Sequence, residues 1–147
     1  MEAVILIGIQ GAGKSTFCRQ RFFDTHVRVN LDMLHTRNKE EILVRACVEA
    51  KQPFVVDNTN PTVEVRARYF RLAKPAGFRM IACYFEPDLA GCMERNRSRQ
   101  GKSCVPEPAI ANAAAKMQPP TFEEGFDEIY HVRVSNEQTF TVEEIRK

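Results

Sequence analysis

The stretch Gly8-Ile9-Gln10-Gly11-Ala12-Gly13-Lys14-Ser15 carries the first chemical signal in the chain. It fits the pattern G-x-x-x-x-G-K-[ST], and each fixed position has a physical reason. The glycines let the backbone turn tightly and approach a polyphosphate with no Cβ in the way. Successive N–H groups then face one concavity, and the helix that follows adds the positive end of its dipole. Lys14 is spaced to reach the β- and γ-phosphates of a nucleoside triphosphate, and the Ser15 hydroxyl to bind Mg2+. Gly8, Gln10, Gly11, Ala12, Gly13, Lys14, Ser15 and Thr16 are the expected nucleotide contacts. A Gly-rich turn with a chance lysine is the bland alternative. Against it, the complete motif lies between an apolar run, Ala3 to Ile7, and a helical stretch.

Two acids and a group of arginines could complete the chemistry. Asp57 ends the apolar run Phe54-Val55-Val56, the place of the metal-assisting acid in a phosphate-loop protein. An Asx turn closing the strand would look the same. Asp32 follows Val27-Arg28-Val29-Asn30-Leu31, and a carboxylate there could accept the proton of an attacking hydroxyl. Helix capping accounts for many lone aspartates of this kind. Arg95 and Arg99 are four apart and share one helix face, while Arg97 points nearly the other way. Phosphoryl transfer needs such cations, because its transition state spreads charge over the equatorial oxygens. An arginine-rich helix followed by a loop containing Gly101 suits a lid that closes over ATP. A solvated basic face is the alternative.

These residues need a scaffold that gathers them, and the remaining pattern provides one. Strands are expected at Ala3–Ile7, Val27–Asn30, Pro53–Val56, Met80–Phe85 and Ile129–Val134. Helices are expected from the phosphate loop to about Phe23 and from an Asn38/Glu41 capping box through Val48. Another should start at Pro61 with Asn60 as cap, carrying Val65, Tyr69 and Leu72 on one face. Two more follow, one capped by Asp88 and one from Pro106 to about Met117. Alternating strands and helices imply a doubly wound α/β domain with a five-stranded parallel sheet. Ligands in such sheets bind beyond the carboxyl ends of the strands, where the loop, Asp32 and Asp57 all fall.

At 147 residues the chain suits one domain with a sizeable core. Residues 65–102 hold nine Arg/Lys against three acids, a local +6 that fits an anionic partner or a solvated face. Five cysteines, odd in number and without a C-x-x-C pair, are expected to be reduced and mostly buried. No zinc site is expected. No apolar run reaches membrane-spanning length and the first strand begins at residue 3, so a cytoplasmic location without membrane association is expected.

The sequence resembles the kinase domain of the 5′-polynucleotide kinases. The matching segments are Gly8–Ser15, Val29-Asn30-Leu31-Asp32, Val56-Asp57-Asn58-Thr59-Asn60, Arg95-Asn96 with Arg99, Val105-Pro106 and Glu124-Gly125-Phe126-Asp127-Glu128-Ile129. They span nearly the whole chain in family order. The resemblance implies a P-loop NTPase fold, adenylate-kinase-like, with a helical lid at roughly 89–117 and with ATP and Mg2+ as cofactors. It implies that Lys14 and Ser15 engage phosphates and Mg2+, with Asp57 beside them ordering the acceptor side. Asp32 would be the general base and Arg99 the lid arginine, with Arg95 beside the nucleotide and Arg97 as an alternative to Arg99. The acceptor would be a nucleic-acid 5′-hydroxyl end, met by Asp32, His35, Arg37, Asp57, Asn58 and Asn60. One departure stands out. Where phage-type enzymes carry an arginine for the acceptor's 3′-phosphate, this chain has His35, with Arg37 nearby.

No D-x-D-x-T phosphatase signature and no ligase lysine motif accompany these segments, which points to a stand-alone kinase module. Two other functions compete. One keeps the chemistry but takes a small-molecule or nucleotide-sugar hydroxyl. The other is a nucleotide-binding module without transfer activity, and Asp32 with the arginine lid argues against it.

Overall fold

The computed structural model describes residues 1–87, 107–136 and 139–147. The strands are β1 (Glu2–Ile7), β2 (Val27–Val29), β3 (Phe54–Asp57), β4 (Arg79–Phe85), β5 (Glu128–Asn136) and β6 (Thr139–Ile145). They form one sheet in the order β2-β3-β1-β4-β5-β6, in which only the β5–β6 pairing is antiparallel. Among the described residues the α-helices are α1 (Lys14–Phe22), α2 (Leu31–Leu34), α3 (Arg37–Ala50), α4 (Val63–Ala73) and α5 (Glu107–Lys116).

The apolar run of β1 is buried on both faces, as central parallel strands are. Ala3, Ile5 and Ile7 join a cluster with Val44 and Cys47 of α3 and Tyr69 and Ala73 of α4. Val4 and Leu6 join a second cluster with Phe17 and Cys18 of α1. Helices on both faces therefore fix β1, and the phosphate loop leaves from its carboxyl end.

Several boundaries differ from the sequence expectation. The sheet has six strands, not five. β6 sends Phe140 and Val142 to the α1-side cluster and Ile145 to the other, so no simple alternation marks it. The cap of α3 is Thr36, whose side chain accepts from Lys39 N, and not Asn38. Thr62 caps α4 by accepting from Val65 N, which displaces Asn60 and Pro61 from the expected helix start. Of the expected lid, α5 rests on the core through Ala113 and Ala114. The helix start at Asp88 and the residues Arg95, Arg97 and Arg99 lie outside the described residues.

Arg66 ties the chain's later half to α4. It is fully buried, and its Nε and Nη2 donate to Glu124 at 2.8 and 2.9 Å. Its Nη1 donates to the carbonyls of Asn60 and Gln118. Glu124 also accepts from Thr121 N in a capping box, while Asp127 accepts from Met80 N of β4. The Glu124–Asp127 segment thus anchors the turn that leads into β5. Breaking one side of a buried ion pair costs about 3–5 kcal/mol, because the other charge stays buried without its partner. Arg66→Ala and Glu124→Ala should each lose stability of that order in denaturant unfolding, and the double variant less than their sum. Single losses below about 1 kcal/mol would contradict the anchoring role.

Among the described residues of the basic run at 65–102, several cations are engaged within the fold. Arg66 is used internally, Arg79 pairs with Glu128, and Lys74 donates to the Gly125 carbonyl.

Candidate functional site

The phosphate loop turns at Gly11 (φ 83°) and Gly13 (φ 94°), the latter standing immediately before α1. Both angles lie where a Cβ is strained. Gly8 has a different constraint: a Cβ there would lie 2.9 Å from the Phe85 Cβ. Gly8 N donates to the Thr59 carbonyl at 3.1 Å, which fastens the loop to the end of β3. Lys14 Nζ donates to the Gly8 and Ile9 carbonyls, each at 2.8 Å, and so folds back over the loop. Ala12 is buried, and the buried Gln10 Oε1 has no hydrogen-bond partner. Thr16 stands in the first turn of α1 and lines the cleft.

Ser15 and Asp57 meet as expected of a pair at two strand ends. The Ser15 hydroxyl donates to Asp57 Oδ2 at 2.9 Å. Arg28 Nε donates to the same oxygen at 2.9 Å, a contact absent from the sequence reading. Asp57 is almost fully buried, so a cation beside it offsets the desolvation of its charge. Burial, helped by the Asp57 carboxylate, pushes the Cys18 thiol up to about 11, so Cys18 stays a neutral thiol rather than a nucleophile. Among the described cysteines, Cys18, Cys47 and Cys83 are buried and free.

A hydrogen-bond relay sets Asp32. The Asn30 side chain donates to the Asp57 carbonyl and accepts from Met33 N, which caps α2. Leu31 N donates to Asn58 Oδ1 at 2.9 Å, and Asn58 Nδ2 donates to Glu40 at 2.9 Å. Arg37 Nη1 donates to the same carboxylate at 2.8 Å and to the Tyr69 hydroxyl. Burial, with the Glu40 charge adding to it, pushes Tyr69 up to about 12, so it remains a neutral partner. The relay holds the start of α2 against β3 and leaves Asp32 exposed to the cleft.

The expected acceptor residues therefore divide. Asp32 and Asp57 line one cleft of about 620 Å3 with Lys14 and Ser15. Asn58 lines it too, but its side-chain groups are engaged in the relay. Asn60 is a correction: its side chain is buried and donates to the Leu6 carbonyl at 2.7 Å, bracing β1. Arg37 is half-exposed and holds Glu40 and Tyr69 through Nη1. His35 is exposed at the end of α2, with φ 72°.

Two charged cleft residues were missed, Arg28 and Arg19. A signal existed for both. Arg28 is two residues before Asn30 in an extended segment, and Arg19 is one helical turn after Ser15, so each shares a face with a cleft residue.

Across the loop, a smaller pocket of about 200 Å3 lies against Ala12, Phe85 and Val132. Glu86 and Arg133 form an ion pair at its rim.

A family model described as an AAA domain matches residues 4–120. The bifunctional polynucleotide phosphatase/kinase of Schizosaccharomyces pombe is 30% identical over 138 residues, covering 89% of this chain and 33% of that protein. The chain spans about a third of the length of the curated relatives it matches. A fungal RNA kinase structure superposes with a TM-score of 0.71 at 18% identity, over 92% of this chain and 76% of that one. A gluconokinase from Sinorhizobium meliloti 1021 gives 0.61, also at 18% identity, over 92% and 83%. These likenesses establish a P-loop kinase-like fold.

Proposed function

We propose, from the premise that this chain belongs to the AAA domain family, that it transfers the γ-phosphate of ATP to the 5′-hydroxyl of a polynucleotide. The observation that carries the proposal is the placement of Asp32 in one cleft with Lys14, Ser15 and Asp57. A nucleotide-binding module has no need of an exposed carboxylate in the cleft of its phosphate loop. The polynucleotide acceptor draws its support from the 30% identity to the fission yeast relative and from the segment Asp57–Asn60.

In this reading Lys14 turns from the loop carbonyls to the β- and γ-phosphates. Ser15 and Asp57 fit Mg2+, since they place a hydroxyl and a carboxylate oxygen 2.9 Å apart. Among the described residues no group of three His, Cys, Asp or Glu could hold a metal alone. That suits an ion that keeps waters and takes oxygens from phosphate. Bound there, Mg2+ would neutralise charge on the phosphate oxygens. Asp32 accepts the hydroxyl proton, and Arg99 with Arg95 would supply the remaining cations from the lid.

The test is transfer of labelled γ-phosphate to a panel of 5′-hydroxyl oligonucleotides and small alcohols, repeated over a range of salt. Each phosphate neutralised on a single strand contributes a slope of about −0.7 in log affinity against log salt. Two or three contacts give roughly −1.5 to −2, while ATP affinity should fall much less. Turnover of a sugar or nucleotide sugar with no oligonucleotide phosphorylated would replace this acceptor. No transfer to any hydroxyl would leave a binding module.

A further inference from the structure

A second groove, of about 410 Å3, runs along α1 beside the edge strand β2 and opens into the reaction cleft. The two share Ser15, Arg19 and Arg28. From there the groove passes Cys18 and reaches Phe22, Phe23 and His26. Ser15 to Phe23 along the helix is about 12 Å. The far wall is aromatic: the Phe22 and His26 rings pack edge to face with centroids 4.8 Å apart. Phe23 stands 78% exposed beside them. At the near end Arg19 is exposed as a cation, while Arg28 is paired with Asp57. Of the acids close by, Asp57 is matched by Arg28, Glu2 lies 3.4 Å from His26, and Asp24 follows Phe23 on the exposed turn.

We infer that this groove carries the acceptor strand downstream of its reacting 5′ end, with Arg19 against a backbone phosphate and Phe23 stacked on a base. The inference rests on the polynucleotide reading above. Continuity decides the occupant: what fills the groove must extend the molecule whose hydroxyl lies at Asp32. Cations followed by exposed aromatic faces are the means by which proteins hold single strands without reading their sequence, and each stacked base contributes substantially. A small alcohol or sugar would end within the cleft and leave the aromatic wall unused.

The chain contains no tryptophan, so Phe23→Trp creates a single reporter at an exposed position. Its fluorescence should be quenched saturably by a 5′-hydroxyl oligonucleotide and recover with salt. ATP alone or a nucleoside 3′-phosphate, too short to reach Phe23, should leave it unchanged. Phe23→Ala should raise KM for the oligonucleotide about 10-fold with little change in kcat. The effect should be absent for the nucleoside 3′-phosphate. No quenching in the Phe23→Trp variant and an unchanged KM in Phe23→Ala, with oligonucleotides still phosphorylated, would overturn the groove and leave the kinase proposal standing. If no oligonucleotide is accepted while a small alcohol is, the acceptor proposal fails and the groove falls with it.

Discussion

Lys14→Ala is expected to lower phosphoryl transfer by on the order of 10³-fold or more, the scale on which a single cation acts at a migrating phosphoryl group. The side chain begins the first turn of α1, and its ammonium lies 2.8 Å from the Gly8 and Ile9 carbonyls. Those contacts keep the charge at the mouth of the loop, so a small rotation redirects it to a phosphate. Among the described cleft residues, Arg19 and Arg28 are the other cations. Arg28 is committed to Asp57, and Arg19 lies one turn farther along α1. Neither replaces a charge above the loop. The measurement is single-turnover transfer from labelled ATP, with thermal unfolding as a control because Lys14 is nearly buried. Lys14→Met, which fills the same space without the charge, should be as impaired as alanine. Near-wild-type turnover in a folded variant would remove the phosphate-loop assignment.

The parts of this site that were legible in the sequence are those encoded locally. A phosphate loop needs contiguous residue types, and an acid at a strand end is marked by the apolar run before it. The geometry of Ser15 and Asp57 follows from two such patterns at adjacent strand ends. What escaped depends on contacts distant in sequence. Asn60 reads as a helix cap until its amide is found on the Leu6 carbonyl, 54 residues away. The pairing of Arg37 with Glu40 and Tyr69 likewise joins α3 to a residue of α4 that spacing does not link to it. The segment Glu124–Asp127 was recognisable as a motif, but its physical task, holding Arg66 and the edge of β4, required the fold. β6 was hidden because its residues serve two clusters on opposite faces, and two adjacent glutamates interrupt its apolar pattern.

The same relay makes Asp32 a clean place to test the chemistry. Asn30 and Asn58 hold α2 through backbone groups and through each other's neighbours, and neither contact passes through the Asp32 carboxylate. Asp32→Asn therefore keeps shape and backbone while removing a proton acceptor. General-base catalysis contributes about 10²–10⁴-fold, and kcat should fall by that amount with ATP affinity nearly unchanged. Asp32→Ala should lose about as much, since an amide can orient a hydroxyl but cannot take its proton. Asparagine activity well above alanine would make Asp32 an orienting group and shift proton removal elsewhere. A collapse of ATP or Mg2+ affinity would place the carboxylate on the nucleotide side of the cleft. The exposed position of Asp32 in the cleft, with its carboxylate outside the hydrogen bonds of Ser15 and Asp57, leads to the expectation that kcat falls while ATP affinity holds.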